Sequence, residues 1–86
     1  KLFIGVDGVD ENYGCSTSNL LEANLNNSMI KAAQKTIVLT DSSKFGKKGF
    51  GKICDLNEVD YIITDKNITE KSRNAIDNLG IELTIV

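Results

Sequence analysis

The chain has 86 residues, which suffices for one domain with one hydrophobic core but not for two. Hydrophobic residues make up 41% and charged residues 26%, proportions that exclude an intrinsically disordered chain. The net charge of −2 argues against nucleic acid or an anionic membrane as a direct partner, and the lack of histidine excludes histidine-based triads and most zinc sites.

Four short apolar segments are predicted to be β-strands. Each is a nearly continuous aliphatic or β-branched run, which is typical of strands buried on both faces of a parallel sheet. The runs span residues 2–6, 36–40, 61–64 and 81–86. Three of them are followed directly by an acid, namely Asp7, Asp41 and Asp65.

Two helices are predicted between these strands. Asn19 and Glu22 have capping-box spacing, which indicates a helix over about residues 20–34. Thr69 and Gly80 are placed to begin and end the second helix. The side chains expected to face the core are Leu21, Leu25, Met29, Ala32 and Ala33 on the first helix, and Ser72, Ala75, Ile76 and Leu79 on the second.

Residues 45–57 have the least regular pattern. Their glycines and lysines indicate a loop or short helix, and they leave room for a brief extended piece at Ile53. Phe45 and Phe50 are expected to pin this segment to the sheet.

The alternation of strand and helix predicts an α/β fold with a mainly parallel sheet of about four strands and flanking helices. Ligands of such Rossmann-like sheets bind beyond the carboxyl ends of the strands. The candidate site is therefore expected where Asp7, Asp41 and Asp65 follow their strands.

Two segments at these strand ends carry the groups expected in a ligand site. Residues 7–11 read Asp-Gly-Val-Asp-Glu; the carboxylates can hold sugar hydroxyls or simply shape an Asx-type turn. Residues 41–44 read Asp-Ser-Ser-Lys; a serine is expected to cap the next turn, so that free N–H groups and the Lys44 ammonium attract phosphate. The alternative for this second segment is a solvated lysine beside a capping serine.

A third segment, residues 15–19, reads Cys-Ser-Thr-Ser-Asn and precedes the first predicted helix. A hydroxyl-rich loop in this place can form another anion cradle. Capping of the helix explains the same residues equally well.

Over essentially the whole chain, the order and spacing of the motifs resemble one protein family. The matching motifs are residues 3–10, Thr17, Asn19, Glu22-Ala23, Met29-Ile30, residues 41–46, Phe50 and residues 63–65. Together they resemble the C-terminal sensor domain of DeoR-type bacterial transcriptional regulators, a domain related to ribose phosphate isomerase.

The resemblance implies a sensor that binds a phosphorylated sugar or related metabolite and so changes operator binding, in most members to repress sugar catabolism. Residues 1–86 would be the C-terminal part of that sensor domain, with its first half and the helix-turn-helix absent. DNA would be contacted only through the absent helix-turn-helix. The resemblance further implies a cytoplasmic homo-oligomer with no cofactor and no membrane contact.

The related isomerases need a carboxylate base, and the resemblance places Asn26 where that base would lie. Because an amide cannot take up the proton, the chain is predicted to have no catalytic residue and not to be an enzyme. Two alternatives stay open: a sugar-phosphate isomerase fragment, and an oligomerisation module with a vestigial pocket.

The motifs and the resemblance together define the predicted effector site. Asp7 and Asp10 are expected to meet hydroxyls or order the loop, and Lys44 to neutralise charge on the ligand. Glu22 is expected to orient residues 15–19 or contact the sugar, and no metal site is predicted. The full set is Asp7, Gly8, Asp10, Thr17, Glu22, Asp41 and Lys44.

Overall fold

The computed structural model describes residues 1–86 and contains two β-sheets, two α-helices and two short 3-10 turns. The strands are β1 (Leu2–Gly5), β2 (Gly8–Asp10), β3 (Gly14–Thr17), β4 (Thr36–Leu39), β5 (Gly51–Cys54), β6 (Tyr61–Thr64) and β7 (Glu82–Ile85). The helices are α1 (Leu20–Ala32) and α2 (Glu70–Asn78), and the 3-10 turns are Ser42–Lys44 and Leu56–Glu58. Neither helix is long and apolar enough to cross a membrane.

Four strands form a parallel sheet in the order β1-β4-β6-β7, which confirms the predicted α/β fold. In the register of this sheet, Gly5 pairs with Leu39, Leu39 with Ile63, and Ile63 with Thr84. All four carboxyl ends therefore meet at one edge. We call this edge the rim, and it is where Asp7, Asp41 and Asp65 follow their strands.

A second, antiparallel sheet of β2, β3 and β5 was not expected from the sequence. Its strands have three or four residues and are rich in glycine, serine and cysteine, so they show no apolar alternation. The prediction of a hydroxyl-rich loop at residues 15–19 was wrong for its first part, because β3 is buried along its whole length. The free thiols of Cys15 and Cys54 are buried opposite each other in this sheet.

The core lies between the parallel sheet and the remaining elements. Ile4, Val38 and Ile62 lie side by side in the register of β1, β4 and β6, and all three are buried. Ile30 of α1 and Ile76 of α2 belong to the same core cluster. This packing holds the rim in place because every strand that ends there is anchored in the core. β1, β4 and β6 each contribute a buried residue, and Leu83 of β7 packs against the core partly buried.

The predicted core stripe of α1 was wrong. Leu21 is 81% exposed, Leu25 62% and Met29 37%, whereas the buried residues of the helix are Ala23, Asn26 and Ile30. The helix approaches β5 too closely for large side chains: a Cβ added to Gly51 would lie 2.9 Å from the Cβ of Ala23. The Asn27 side-chain amide also donates to the Ile53 carbonyl at 2.8 Å. The close approach of α1 to β5 and the Asn27 hydrogen bond thus bury the face of α1 that carries Ala23, and the stripe of large apolar side chains stays exposed.

Truncation of the exposed stripe should therefore have little effect on stability. We expect Leu25→Ala to change the free energy of unfolding by less than about 0.5 kcal/mol, as for exposed surface positions. Urea denaturation of the two proteins measures this difference. A loss of about 2–5 kcal/mol, which is the usual cost of Leu→Ala in a core, would show that the side chain is buried after all.

The second helix has the predicted ends. The Thr69 side chain accepts from Ser72 N at 3.2 Å, and Gly80 follows the helix with φ +75°. The expected inner face was too wide, because Ile76 is buried but Leu79 is 46% exposed. Phe45 packs partly buried against the core as expected, whereas Phe50 is 80% exposed and does not pin its segment to the sheet.

Candidate functional site

Asp7 connects the end of β1 to the segment between β3 and α1. Its carboxylate accepts hydrogen bonds from the Thr17 hydroxyl at 3.0 Å and from Ser18 N at 3.2 Å. These two bonds, with the nearby charge of Lys44, hold the pKa of Asp7 below its ordinary value. The side chain is thus ionised at neutral pH and fixes the position of Thr17 at the rim.

Asp41 caps the 3-10 turn Ser42–Lys44, where a serine had been expected to be the cap. One of its carboxylate oxygens accepts from Ser43 N at 3.0 Å and also from the Ser43 hydroxyl. The hydroxyl hydrogen bond is the largest influence lowering the pKa of Asp41, and the charge of Lys44 lowers it further. The expectation failed because a carboxylate is the stronger acceptor for the free N–H groups of a turn.

Asp65 attaches the same turn to β6. Its carboxylate accepts from Ser42 N at 2.8 Å and from Asn67 N at 2.9 Å, and these bonds hold its pKa below the ordinary value. Asp65 was not among the predicted site residues, although it was noted as one of three acids that end strands. That position on a neighbouring parallel strand was the signal that could have included it.

Lys44 is one of two cations at the rim, the other being Lys66, which directly follows Asp65. The Lys44 side chain is half-buried and forms neither of the two ion pairs in the protein, Lys31–Glu58 and Lys52–Asp55. Its charge lowers the pKa of both Asp7 and Asp41, and its ammonium forms no ion pair with either carboxylate. Each of the three aspartates accepts hydrogen bonds from donors within the protein, whereas the Lys44 ammonium makes no hydrogen bond within the protein.

The remaining predicted residues have different surroundings. Gly8 is buried, and a Cβ there would lie 2.7 Å from the Ser16 hydroxyl and 2.9 Å from the carbonyl carbon of Lys47. Asp10 accepts from Asn12 N at 3.0 Å and Tyr13 N at 2.8 Å, which closes the turn between β2 and β3 as in the Asx-type alternative. Glu22 is exposed, and its carboxylate makes no hydrogen bond or ion pair.

The structure therefore brings part of the predicted set together. Asp7, Thr17, Asp41 and Lys44 lie at the rim, joined by hydrogen bonds or by the influence of the lysine charge. Asp10 serves the neighbouring turn, and no contact joins Glu22 to the cluster. The largest surface concavity, 560 Å³, is elsewhere: it lies between α2 and the start of β7, at the opposite end of the strand from the rim.

The stability conferred by Asp65 should depend on pH. A carboxylate whose folded pKa is depressed stabilises the fold above its unfolded pKa of about 3.9, and this stabilisation is lost as pH falls through the folded pKa. We expect Asp65→Asn to lower the free energy of unfolding at pH 6, and the difference from the unchanged protein to vanish towards pH 2. Urea denaturation across this range measures it.

The control is Asp77→Asn, which removes an exposed carboxylate of α2 that makes no side-chain hydrogen bond. It should leave the pH dependence of unfolding unaltered. A difference between the Asp65→Asn variant and the unchanged protein that stays the same from pH 6 to pH 2 would show that the ionised carboxylate does not support the turn.

Comparisons with known proteins identify a family model and several related proteins. Residues 1–66 match the family model described as DeoR C terminal sensor domain. The chain is 42% identical over 85 residues to a provisionally named aga operon transcriptional repressor of Escherichia coli O157:H7, which covers 99% of the chain and 32% of that protein.

Two further relatives are also regulators by name. The HTH-type transcriptional repressor GlcR of Bacillus subtilis strain 168 is 33% identical over 85 residues, covering 99% of the chain and 33% of the relative. A lactose phosphotransferase system repressor of Staphylococcus epidermidis is 34% identical over 71 residues, covering 83% of the chain and 28% of the relative. The chain thus spans about a third of the length of the curated relatives it matches.

Proposed function

Because the chain belongs to the family of DeoR C-terminal sensor domains, we propose that it senses a phosphorylated sugar for a transcriptional regulator. Residues 1–86 are then the C-terminal part of the sensor domain, and DNA is bound by a helix-turn-helix elsewhere in the parent protein. The HTH-type names of relatives that are three times as long support this division. The parent acts in the cytoplasm as a homo-oligomer, since paired operator half-sites are read by paired recognition helices.

The observation that carries the proposal is the state of the Lys44 ammonium. It is placed at the carboxyl ends of parallel strands, where ligands of such sheets bind, and no carboxylate of the protein pairs with it. A free ammonium beside a 3-10 turn favours an anionic ligand, and the oxygen of the exposed Ser43 hydroxyl can accept a hydrogen bond from a polyol. The name of one relative, a lactose phosphotransferase system repressor, also refers to both a sugar and phosphoryl transfer.

Thermal unfolding of the full-length regulator tests the proposal. The probes are glucose 6-phosphate, galactose 6-phosphate and fructose 6-phosphate, each compared with its unphosphorylated sugar. A ligand at 100 times its dissociation constant adds about 2.7 kcal/mol of stability, so a phosphorylated effector should raise Tm while the free sugar does not. Equal shifts with free sugars, or none with any phosphate, would remove phosphorylated hexoses as effectors.

We further propose that the domain binds its ligand without converting it. Asn26 occupies the place that the resemblance gives to the isomerase base, and it is buried on the inner face of α1, where its amide cannot accept the proton. A coupled isomerase assay of the full-length protein with pentose and hexose phosphates should give no turnover. Turnover that disappears with Glu22→Gln would instead identify an enzyme.

A further inference from the structure

A groove of 270 Å³ opens beside the turn that carries Lys44. Its walls come from three elements: the turn that follows β2, the residues that follow the 3-10 turn Ser42–Lys44, and the first turns of α2. The groove is lined by Val9, Asp10, Glu11, Phe45, Gly46, Lys71, Ser72, Ala75 and Ile76. None of the predicted site residues except Asp10 lines it.

The groove is joined to the rim by the backbone. Gly46 N donates to the Val9 carbonyl at 2.7 Å, and Phe45 forms a β-bridge with Val9, so the chain leaving Lys44 becomes one wall of the groove. The opposite wall, α2, begins five residues after Asp65, where β6 has ended at the rim. The two residues that directly follow Lys44, Phe45 and Gly46, therefore line the groove.

The composition of the groove suits a sugar. Its floor is apolar, with Val9 and Ile76 buried and Phe45 half-buried, and such a floor can pack against the C–H face of a sugar. Above this floor, the Glu11 carboxylate and the Lys71 ammonium are exposed and make no hydrogen bond or ion pair. The pair offers one acceptor and one donor, the combination that a hydroxyl group satisfies.

The size of the groove points the same way. At 270 Å³ it lies just below the range of about 300–1,000 Å³ for drug-sized ligands, which favours a single sugar unit over a nucleotide. Ser72 adds a donor: its oxygen accepts from the Thr69 hydroxyl at 3.1 Å, and its own hydroxyl hydrogen stays available to a ligand.

We propose that this groove holds the carbohydrate part of the effector whose phosphate is bound at Lys44, with Glu11 accepting from and Lys71 donating to the sugar hydroxyls. The inference rests on the proposed function and adds the residues that select among sugars. Phosphate recognition at the rim and sugar recognition in the groove are thus carried by different side chains.

Isothermal titration of the full-length regulator separates these two roles. The long probe is the hexose 6-phosphate, among the three named above, that gives the largest thermal shift, and the short probe is glycerol 3-phosphate, which is too short to fill the groove. We expect Glu11→Gln and Lys71→Ala each to weaken the long probe about tenfold, the effect of losing one hydrogen bond to a charged group, and the short probe less than twofold. Glu82→Gln and Lys35→Ala are the matched controls. Glu82 begins β7 and Lys35 directly precedes β4, so both lie at the edge of the parallel sheet opposite to the rim.

The outcomes distinguish the groove from the rim. Long-probe affinity unchanged in both groove variants, while Lys44→Ala still weakens it, would overturn the groove and leave the proposed function standing. Equal losses for long and short probes would also overturn it, because the variants would then act on the phosphate. If no sugar phosphate binds at all, the proposed function fails and the groove assignment with it. Unchanged thermal unfolding of the variants shows that a loss is local.

Discussion

Replacing Lys44 by alanine is expected to weaken the binding of a hexose 6-phosphate to the full-length regulator about ten- to a hundredfold. The reason is that a hydrogen bond to a charged group contributes about 1.5–3 kcal/mol, and Lys44 is a half-buried cation at the rim that no carboxylate pairs with. Isothermal titration calorimetry measures the loss, and operator-binding assays should show a matching rise in the effector concentration needed for a response.

The control for this substitution is Lys35→Ala. Lys35 is exposed and lies just before β4, at the end of the strand opposite to Lys44, so its loss removes the same charge far from the rim. The affinity of the Lys35→Ala variant for the hexose phosphate should stay within twofold of the affinity of the unchanged protein. Should Lys44→Ala behave like Lys35→Ala, the ammonium would have no part in binding and the rim would not be the phosphate site.

A methyl group at Gly8 should destabilise the fold by about 1–3 kcal/mol, the usual cost of overpacking. Its Cβ would come within 2.7 Å of the Ser16 hydroxyl and 2.9 Å of the Lys47 carbonyl carbon, so backbone has to move and not only a side chain. The Ser16 hydroxyl also accepts from Gly49 N at 2.7 Å, and this bond should be lost with the shift. Urea denaturation of Gly8→Ala measures the cost.

Gly5→Ala provides the matched comparison, because the nearest atom to its added Cβ is the Leu39 carbonyl oxygen at an ordinary 3.8 Å. We expect this second variant to change the free energy of unfolding by less than about 0.5 kcal/mol. Equal stabilities of the two variants would mean that Ser16 and the Lys47 backbone do not pack against residue 8 as described.

The carboxylates at the rim mainly hold neighbouring segments of the protein in place through hydrogen bonds. Asp41 and Asp65 each hold one N–H group of the Ser42–Lys44 turn, and Asp7 holds Thr17, so three carboxylates fix the elements around Lys44. Together with Lys44 they carry a net charge of −2, which by itself opposes phosphate. We infer that phosphate binding depends on further donors besides Lys44.

Some features of this protein follow from the sequence alone. The apolar runs at residues 36–39 and 61–64 specify parallel strands whose core-facing residues Val38 and Ile62 are fully buried, although Leu39 on the other face is 43% exposed. Because parallel strands place their carboxyl ends at one edge, the acids that follow them had to meet there, and the sequence already indicated a rim with Asp7, Asp41 and Lys44. The ends of α2 at Thr69 and Gly80 were likewise fixed by local capping preferences.

The tertiary structure decided which surfaces are buried and which polar groups are already used. The pattern of α1 contains a large apolar stripe and a small-residue face, and only the close approach of β5 at Gly51 selects the second. The antiparallel sheet is not visible in the sequence for two reasons. Its strands have only three or four residues and no apolar alternation, and the pairing of β3 with β5 joins segments some 35 residues apart, which no local period records. For Asp10 the sequence left two roles open, a contact with sugar hydroxyls and an Asx-type turn, and the structure shows that its carboxylate closes the turn.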